Sequence, residues 1–144
     1  MPGPVLREVR EKTIEQLLEA KGRDVCTVSP DTSVYDALGL MADKEIGALM
    51  VCRDERLVGI MSERDYARKV ILAGRASKDT PVGDIMTTRV VCTSPQRTVE
   101  ECMALMTDKR VRHLPVIEHK KLAGIVSIGD LVKAIIHEQK FIIE

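Results

Sequence analysis

The 144 residues carry 22 basic and 22 acidic side chains, with 44% hydrophobic and only 2% aromatic residues. The composition suits one domain, and the zero net charge and scarce aromatic rings exclude the basic, stacking surface that nucleic acids require. No segment approaches the roughly 20 apolar residues that cross a bilayer, and residues 1–4 lack the pattern of a signal peptide. We therefore expect a cytoplasmic protein without membrane or nucleic-acid partners.

A helix is predicted at the start of the chain. Thr13 and Gln16 have the spacing of a capping box. Apolar residues follow on one side of the predicted turns: Ile14, Leu17 and Leu18. The segment is therefore predicted to be an amphipathic leading helix.

Two further amphipathic helices share one phase. The first starts at a Ser33-x-x-Asp36 signal and the second at Thr98-x-x-Glu101. In each, apolar residues recur at positions i, i+3, i+4 and i+7. They are Val34, Ala37, Leu38 and Met41 in the first segment, and Val99, Cys102, Met103 and Met106 in the second.

Short apolar runs rich in strand-forming residues follow each of these helices. Residues 47–52 and 57–61 flank a turn at residues 54–55, and residues 114–117 and 122–126 repeat the pattern. Each pair of runs predicts two neighbouring strands.

Another helix is predicted directly after each strand pair. Ser62 and Ser127 open these helices, and the first is expected to stop at Gly74. A polar connector covers residues 74–81, and an apolar lead-in covers residues 82–87. With one strand placed before each amphipathic helix, the order becomes strand, helix, strand, strand, helix.

Residues 25–71 and 90–136 are one unit written twice at a constant offset of 65, with 16 identities in 47 positions. Two such copies should pack about a pseudo-twofold axis and bury each other's apolar faces. The expected fold class is α/β (α+β), with two β-α-β-β-α repeats. We divide the chain into a leading segment, the first copy, a connector with lead-in, and the second copy with a C-terminal helix: residues 1–24, 25–73, 74–89 and 90–144.

The cysteines do not form a metal-binding pattern. Cys26, Cys52, Cys92 and Cys102 show no C-x-x-C spacing, and the three histidines are scattered. A zinc site would therefore need ligands from distant segments. Cys102 takes the place of Ala37 in the other copy, as a small buried hydrophobe does. We expect unreactive core thiols and no metal site.

The repeated motifs resemble those of the tandem CBS-domain pair, or Bateman module. The resemblance covers nearly the whole chain and rests on residues 59–65 (GIMSERD), 124–130 (GIVSIGD), 86–87 (MT) and 112–116 (RHLPV). It implies that adenosine-containing ligands, such as AMP, ADP, ATP, NAD or S-adenosylmethionine, bind in clefts between the copies. It also implies a homodimer and a regulatory role as a sensor of energy or redox state.

Two aspartates and two serines are candidate ligand-binding residues. Carboxylates such as Asp65 and Asp130 can accept hydrogen bonds from both hydroxyls of a ribose. Ser62 and Ser127 begin helices, where backbone N–H groups and the helix dipole favour a phosphate. Apolar residues near the lead-in strands could sandwich a purine: Val25, Cys26 and Ile46 in the first copy, and Val90, Val91 and Val111 in the second.

Basic side chains near these motifs are candidate phosphate contacts. Arg64 and Arg68 are four residues apart on one helix and share a face. The family resemblance implies phosphate contact for Arg112 and His113, and exposed, solvated charge is the alternative. Because two arginines accompany Asp65, we expect its pocket to bind a phosphorylated ligand before the second pocket does.

Helix capping is an alternative role for the Ser-x-x-Asp motif. In a capping box, Ser62 and Ser127 would cap their helices, and Asp65 and Asp130 would reach back to the cap N–H groups. Aspartate is one methylene shorter than the preferred glutamate, so we expect it to fit this role less well. The alternative function is a dimerising interaction module with silent pockets, and either function needs an unidentified target protein. The sequence contains no Ser/His/Asp order and no phosphate-binding loop that would indicate an enzyme.

Overall fold

The computed structural model describes residues 11–143 of the chain, with side chains through residue 136. These residues divide into two units. The terminal unit contains residues 11–24 and 91–143, and the central unit contains residues 25–90. The leading segment thus belongs with the second copy, and the connector with its lead-in belongs with the first copy. The first ten residues of the leading segment lie outside the described residues.

The central unit contains a three-stranded sheet in the order β1-β2-β3. Strand β1 (Thr27–Val28) pairs parallel with β2 (Ala48–Arg53), which pairs antiparallel with β3 (Arg56–Ser62). The hairpin residues Asp54 and Glu55 have φ values of 52° and 67°. Two positive φ values in succession give a tight turn that matches the twist of its strands. The first predicted strand pair is confirmed.

Helix α2 (Val34–Lys44) packs its apolar face into the core of the central unit. The Ser33 hydroxyl accepts a hydrogen bond from the Asp36 N–H at 3.1 Å, as its start signal predicts. Helix α2, strands β2 and β3, the segment after β3 and the lead-in together supply these buried residues: Val34, Ala37, Met41, Leu49, Val51, Met61, Val70, Val82 and Ile85. Alternate residues of β2 face this core, since residues two apart lie on one side of a strand.

The helix after β3 is not a uniform α-helix. It starts as α3 (Glu63–Tyr66) and continues as a π-helix, Ala67–Ile71. Within it the Leu72 N–H donates to the Ala67 carbonyl at 3.0 Å. A turn follows, in which Gly74 has a φ of 70° and ends the segment as expected. The sequence pattern does not predict the π-helix, because one wide turn leaves the apolar spacing almost unchanged.

The terminal unit contains three helices and one hairpin. The helices are α1 (Ile14–Lys21), α4 (Val99–Lys109) and α5 (Ile128–Ile143). Strands β4 (His113–Glu118) and β5 (Lys121–Ser127) pair antiparallel, which confirms the second predicted strand pair. Within residues 11–143, no helix combines the length and the apolar character that crossing a membrane requires.

Both predicted capping boxes at helix starts of the terminal unit are present. Thr13 pairs with Gln16 before α1, and Thr98 pairs with Glu101 before α4. Each box satisfies backbone N–H groups that a helix start leaves without partners. One core collects these buried residues: Ile14, Leu17, Leu18, Val99, Cys102, Met106, Leu114, Val116, Val126 and Leu131. The leading helix is therefore part of that core.

The first strand predicted for the second copy is reduced to a single bridge. Thr93 pairs with Val116, and the described part of this copy has no counterpart of β1. In the first copy, the Met50 N–H donates to the Cys26 carbonyl at 3.3 Å. Pro115 occupies the position of Met50 at the offset of 65. Proline has no N–H, so it removes this ladder bond, and the expectation of a full strand is wrong here.

In each unit, a glycine in the second hairpin strand lies against a segment from outside the hairpin. In the central unit, Ile60 and Thr87 exchange backbone hydrogen bonds of 2.9 and 2.8 Å. A Cβ on the neighbouring Gly59 would lie 2.6 Å from a sulfur atom of the lead-in. In the terminal unit, a Cβ on Gly124 would lie 3.0 Å from Cδ1 of Leu18 in α1. Only glycine leaves room for so close an approach.

We expect Gly59→Ala to lower the free energy of unfolding by about 1–3 kcal/mol, because the added methyl group meets the Met86 side chain and the Thr87 carbonyl. Gly39→Ala on α2 is the matched control, since no atom lies within 4 Å of its added Cβ. That change should raise the free energy of unfolding by up to about 1 kcal/mol. Urea unfolding followed by circular dichroism measures both, and equal effects would contradict the packing argument.

Candidate functional site

Both Ser-x-x-Asp segments form helix caps. In the central unit, the Asp65 N–H donates to Ser62 Oγ at 3.1 Å, and the Ser62 N–H donates to Asp65 Oδ2 at 3.0 Å. Ser127 and Asp130 repeat these bonds in the terminal unit, at 3.1 and 2.8 Å. The expectation that aspartate fits a capping box less well is therefore wrong. Extended backbone at Ser62 (φ −115°, ψ 165°) brings its N–H within reach of the shorter carboxylate.

Two more donors reach Asp65 in the central unit. Lys69 Nζ lies 2.9 Å from Oδ1, and the Thr87 hydroxyl donates to the same oxygen at 3.1 Å. Lys69 also donates to the Ile85 carbonyl at 2.9 Å. Burial raises the pKa of Asp65, but the hydrogen bonds from Lys69 and Ser62 outweigh burial and hold the pKa below its ordinary value. This carboxylate is therefore ionised at neutral pH.

A lysine also contacts the carboxylate of the terminal unit. Lys21 is the last residue of α1, and its Nζ lies 2.6 Å from Asp130 Oδ2. The same ammonium donates to the Ile125 carbonyl at 2.7 Å. Burial raises the pKa of Asp130, and the hydrogen bonds from Lys21 and Ser127 outweigh it, so the pKa falls below its ordinary value. Each unit thus holds an ionised aspartate beside a lysine.

Lys69, Lys21 and Thr87 are site residues that the sequence does not predict. Lys69 carries a usable signal, since it follows Asp65 by four residues on a predicted helix and such pairs meet. Lys21 carries none, because it is 109 residues away from Asp130 in the chain. Thr87 belongs to the lead-in motif at residues 86–87, but the motif alone assigns its side chain no role. In the structure, its hydroxyl contacts Asp65.

The two helix starts offer fewer unpaired N–H groups to a phosphate than the sequence suggests. The Glu63 N–H donates to the Gly47 carbonyl at 3.1 Å, and the Ile128 N–H donates to the Arg112 carbonyl at 2.9 Å. With the serine caps, these bonds occupy the first and third helical N–H groups in both units. The phosphate role of the two cap serines stays a prediction, and it rests on the second helical N–H.

Three predicted phosphate contacts are exposed arginines: Arg64, Arg68 and Arg112. Their surface positions suit contact with a phosphate and suit solvated charge equally well.

His113 is half-buried at the start of β4. Burial lowers the pKa of His113, Asp130 raises it, and Lys21 and Arg112 lower it, which leaves the pKa below its ordinary value. The imidazole is therefore neutral at pH 7. A phosphate beside it would meet a hydrogen-bond donor and not a cation.

The six residues expected to hold a purine are half-buried. In the central unit they are Val25, Cys26, Ile46 and Val90, and in the terminal unit Val91 and Val111. Two in each unit pack against the core of that unit. Each unit therefore keeps some apolar surface at these positions, and their role in base binding stays a prediction.

The four cysteines are free thiols: Cys26, Cys52, Cys92 and Cys102. Burial raises the pKa of Cys52, Cys92 and Cys102. A raised pKa disfavours the reactive thiolate. Only Cys102 lies in a core, however, and Cys26, Cys52 and Cys92 are half-buried, so the expectation of core thiols is wrong for these three. Among the described residues, no three His, Cys, Asp or Glu side chains cluster as metal ligands would.

The CBS domain family model matches the chain twice, at residues 19–71 and 82–137. Each match contains one G-x-x-S-x-x-D motif with its hairpin and at least the first part of the following helix. The chain belongs to the CBS-domain family. Its two matched segments form the tandem pair that the motifs imply, and the mixed fold of helices and small sheets is the one expected.

Three relatives of different kinds are similar to most of this chain. The chain is 44% identical over 139 residues to the mitochondrial CBS domain-containing protein CBSX3 of Arabidopsis thaliana, covering 89% of this chain and 66% of that one. It is 36% identical over 107 residues to YhcV of Bacillus subtilis, covering 74% and 76%. It is 37% identical over 113 residues to inosine-5′-monophosphate dehydrogenase of Methanocaldococcus jannaschii, covering 77% of this chain and 22% of that enzyme.

Solved structures of CBS proteins share the fold. A Burkholderia ambifaria protein, described as a signal-transduction protein with CBS domains, matches with a TM-score of 0.83 and 51% identity. The match covers 89% of this chain and 96% of that one. A hexameric CBS-CP12 protein from bloom-forming cyanobacteria has a TM-score of 0.72 and 30% identity, covering 83% and 66%. The chain is thus a CBS-pair protein of the regulatory kind.

Acid should destabilise the protein through Asp65 and Asp130. The pKa of each is lower in the folded chain than its ordinary value of 3.8, so the unfolded chain binds protons first as the pH falls. Their contribution to the free energy of unfolding is complete above about pH 5 and is lost as the pH falls through the lower, folded pKa.

We therefore expect Asp65→Asn and Asp130→Asn to make the free energy of unfolding less dependent on pH below about pH 5. Urea unfolding from about pH 3 to 7 measures this slope, with the exposed Asp43→Asn as the control. If both variants keep the slope of the wild type, folding does not lower the pKa of these two carboxylates.

Proposed function

We propose that the chain binds adenosine-containing ligands and acts as a sensor of energy or redox state. The candidate ligands are AMP, ADP, ATP and NAD, each of which carries a ribose with two adjacent hydroxyls. Asp65 and Asp130 are the proposed ribose-binding residues, one in each unit. Bound ligand would then change how the chain engages a target protein.

The observation that carries this proposal is the pair of ionised carboxylates at equivalent positions of the two units. Each is partly buried, and a lysine and a serine hold its pKa low. Hydrogen bonds to an ionised acceptor are roughly twice as strong as those between neutral groups. Adjacent ribose hydroxyls are donors that suit such an acceptor, because both can reach one carboxylate.

The base and the phosphates of the ligand have candidate partners as well. Half-buried apolar residues offer surface to an adenine ring, such as Ile46 in the central unit and Val111 in the terminal unit. Exposed Arg64, Arg68 and Arg112 are suited to phosphate oxygens, since a guanidinium presents several donors in a fixed plane.

A dimerising interaction module with silent pockets is the second candidate function. The capping boxes favour it, because each serine and aspartate already satisfies the other's hydrogen-bonding groups. In that case Asp65 and Asp130 stabilise helix starts and bind no ligand. Titration with adenosine compounds distinguishes the two functions.

Exposed apolar side chains support a twofold homodimer under either function. The exposed fractions are 56% for Ile71 and 79% for Leu72 in the central unit, and 55% for Ile136 in the terminal unit. Ile71 and Ile136 occupy the same position of the repeat at the offset of 65. A second copy of the chain is the proposed cover for these side chains, since C2 pairing is the commonest oligomer.

The proposed role is regulatory and includes no catalytic step. The dehydrogenase relative is an enzyme, but the match covers only 22% of its length. A cytoplasmic location stays a prediction, and the Arabidopsis relative is named as mitochondrial.

Adenosine ligands should raise the melting temperature of the protein. A ligand at 100 times its Kd that binds only the folded chain adds about 2.7 kcal/mol to the free energy of unfolding. Differential scanning fluorimetry with AMP, ADP, ATP and NAD measures the shift, and GMP is the control for base recognition. The Asp65→Asn, Asp130→Asn double variant should lose the shift. If no adenosine compound raises the melting temperature at millimolar concentration, the interaction module is favoured.

Substituting Ile71 and Ile136 together by glutamate should weaken self-association, because each substitution places a charge in an apolar contact. Sedimentation at micromolar concentrations should find the wild type at twice the mass of the 16.0 kDa chain and the variant at lower mass. Gln96→Glu adds the same charge at an exposed loop position and should not change the assembly. A wild type that stays monomeric throughout would contradict the proposed dimer.

A further inference from the structure

The two ribose-binding candidates differ in how many of their acceptor sites are occupied. A carboxylate offers about four lone-pair sites, two on each oxygen. Asp65 Oδ2 accepts from the N–H and the hydroxyl of Ser62, both at 3.0 Å. Asp65 Oδ1 accepts from the Thr87 hydroxyl at 3.1 Å and from Lys69 at 2.9 Å. All four sites of Asp65 are therefore in use.

Asp130 accepts fewer hydrogen bonds, and they fall on one oxygen. Oδ2 accepts from the Ser127 N–H at 2.8 Å and from Lys21 Nζ at 2.6 Å. Within the described residues, no donor lies in hydrogen-bonding range of Asp130 Oδ1. The Asp130 side chain is also 21% exposed, against 10% for Asp65. As far as the described residues are concerned, Asp130 Oδ1 therefore has two lone pairs available.

The sequence difference behind this inequality lies in two positions. At the offset of 65, Thr87 corresponds to Gly22 and Lys69 corresponds to Ala134. Glycine has no hydroxyl and alanine has no ammonium group. Both donors that occupy Asp65 Oδ1 are thus absent from the equivalent positions of the terminal unit, although its helix cap is the same.

We propose that Asp130 is the primary ribose-binding carboxylate. Lys69 and Thr87 close Asp65 to ribose in the sense that their hydrogen bonds occupy the oxygen that a ribose would need. The inference rests on the proposed function, since it assigns unequal roles to the two proposed sites. A vicinal diol donates two hydrogen bonds, which Asp130 Oδ1 can accept without losing any existing bond. The same diol reaches Asp65 only by displacing Lys69 or Thr87. This order reverses the one that Arg64 and Arg68 suggest from the sequence.

The size of the difference follows from the displaced bonds. Losing one hydrogen bond to a charged group weakens binding by roughly tenfold or more. Adenosine is the informative probe, because it carries the ribose without a phosphate and so removes any contribution from the arginines. We expect adenosine to bind tightly at Asp130 and at least about tenfold more weakly at Asp65.

Calorimetry with adenosine on the full chain tests this assignment. Asp130→Asn should weaken the tight phase by roughly tenfold or more, whereas Asp65→Asn should leave it unchanged. Asparagine keeps one oxygen for the cap N–H, and thermal unfolding checks that each variant folds. 2′,3′-Dideoxyadenosine, which lacks both hydroxyls, should lose the tight phase on the wild type. A tight phase that survives Asp130→Asn, or is lost in Asp65→Asn, would overturn the assignment.

A gain-of-binding variant tests the role of Lys69 and Thr87. Lys69→Met combined with Thr87→Val should strengthen adenosine binding at the second site by about tenfold or more. Adding Asp65→Asn to that variant should remove the gain. Lys133→Met, at an exposed position of α5, is the matched control and should change neither phase. An unchanged second site in the double variant would overturn the closing role.

The two hypotheses fail differently in these experiments. If adenosine and AMP bind to no form of the chain, including the opened variant, the proposed function fails and the inference fails with it. If adenosine binds with the tight phase assigned to Asp65, or equally to both aspartates, only the inference fails.

Discussion

The close approach of an outside segment to a strand glycine is the constraint on which both sites depend. At Gly59 the lead-in lies so near β3 that an added Cβ would reach its atoms at 2.6 Å, and at Gly124 the helix α1 approaches similarly. Because the glycines have no side chain, these segments can pack directly on the sheet. That packing brings the Thr87 hydroxyl to Asp65 and the Ile85 carbonyl to Lys69, and it brings Lys21 to Asp130.

Partial burial of a carboxylate explains why a lysine lies beside each aspartate. Burial alone raises the pKa of an aspartate and disfavours its ionised form. The serine caps supply hydrogen bonds but no charge, whereas an ammonium supplies both. In the central unit the lysine comes from the same helix, and in the terminal unit it comes from α1. Two copies of one backbone thus reach the same electrostatic arrangement with lysines from unrelated positions.

Because the two lysines come from different elements, different interactions hold them beside their aspartates. Lys69 is fixed to the helix that begins at Ser62, so it pairs with Asp65 through local geometry. Lys21 belongs to a helix whose apolar residues are buried in the terminal core, so its position depends on that packing. Both copies keep the helix cap, while substitutions at a few neighbouring positions decide which oxygens of each carboxylate accept hydrogen bonds.

The sequence by itself determined the features that depend on local spacing. The capping boxes at Thr13 and Thr98, the hairpin turns and the buried helix faces all follow from residues within one or two turns of each other. The motif positions of Asp65 and Asp130 followed from the constant offset of 65 between the two copies. The shortened strand before α4 also had a local signal, because Pro115 cannot donate a ladder hydrogen bond.

Only the tertiary structure decided which distant segments meet these motifs. The pairing of α1 with the second copy, and of the lead-in with the first, depends on the burial of apolar side chains across long stretches of chain. Lys21 and Asp130 lie 109 residues apart, so no spacing rule relates them. The number of donors around each carboxylate is likewise a property of packing, because hydrogen bonds form where folding places the groups, whatever their separation in sequence.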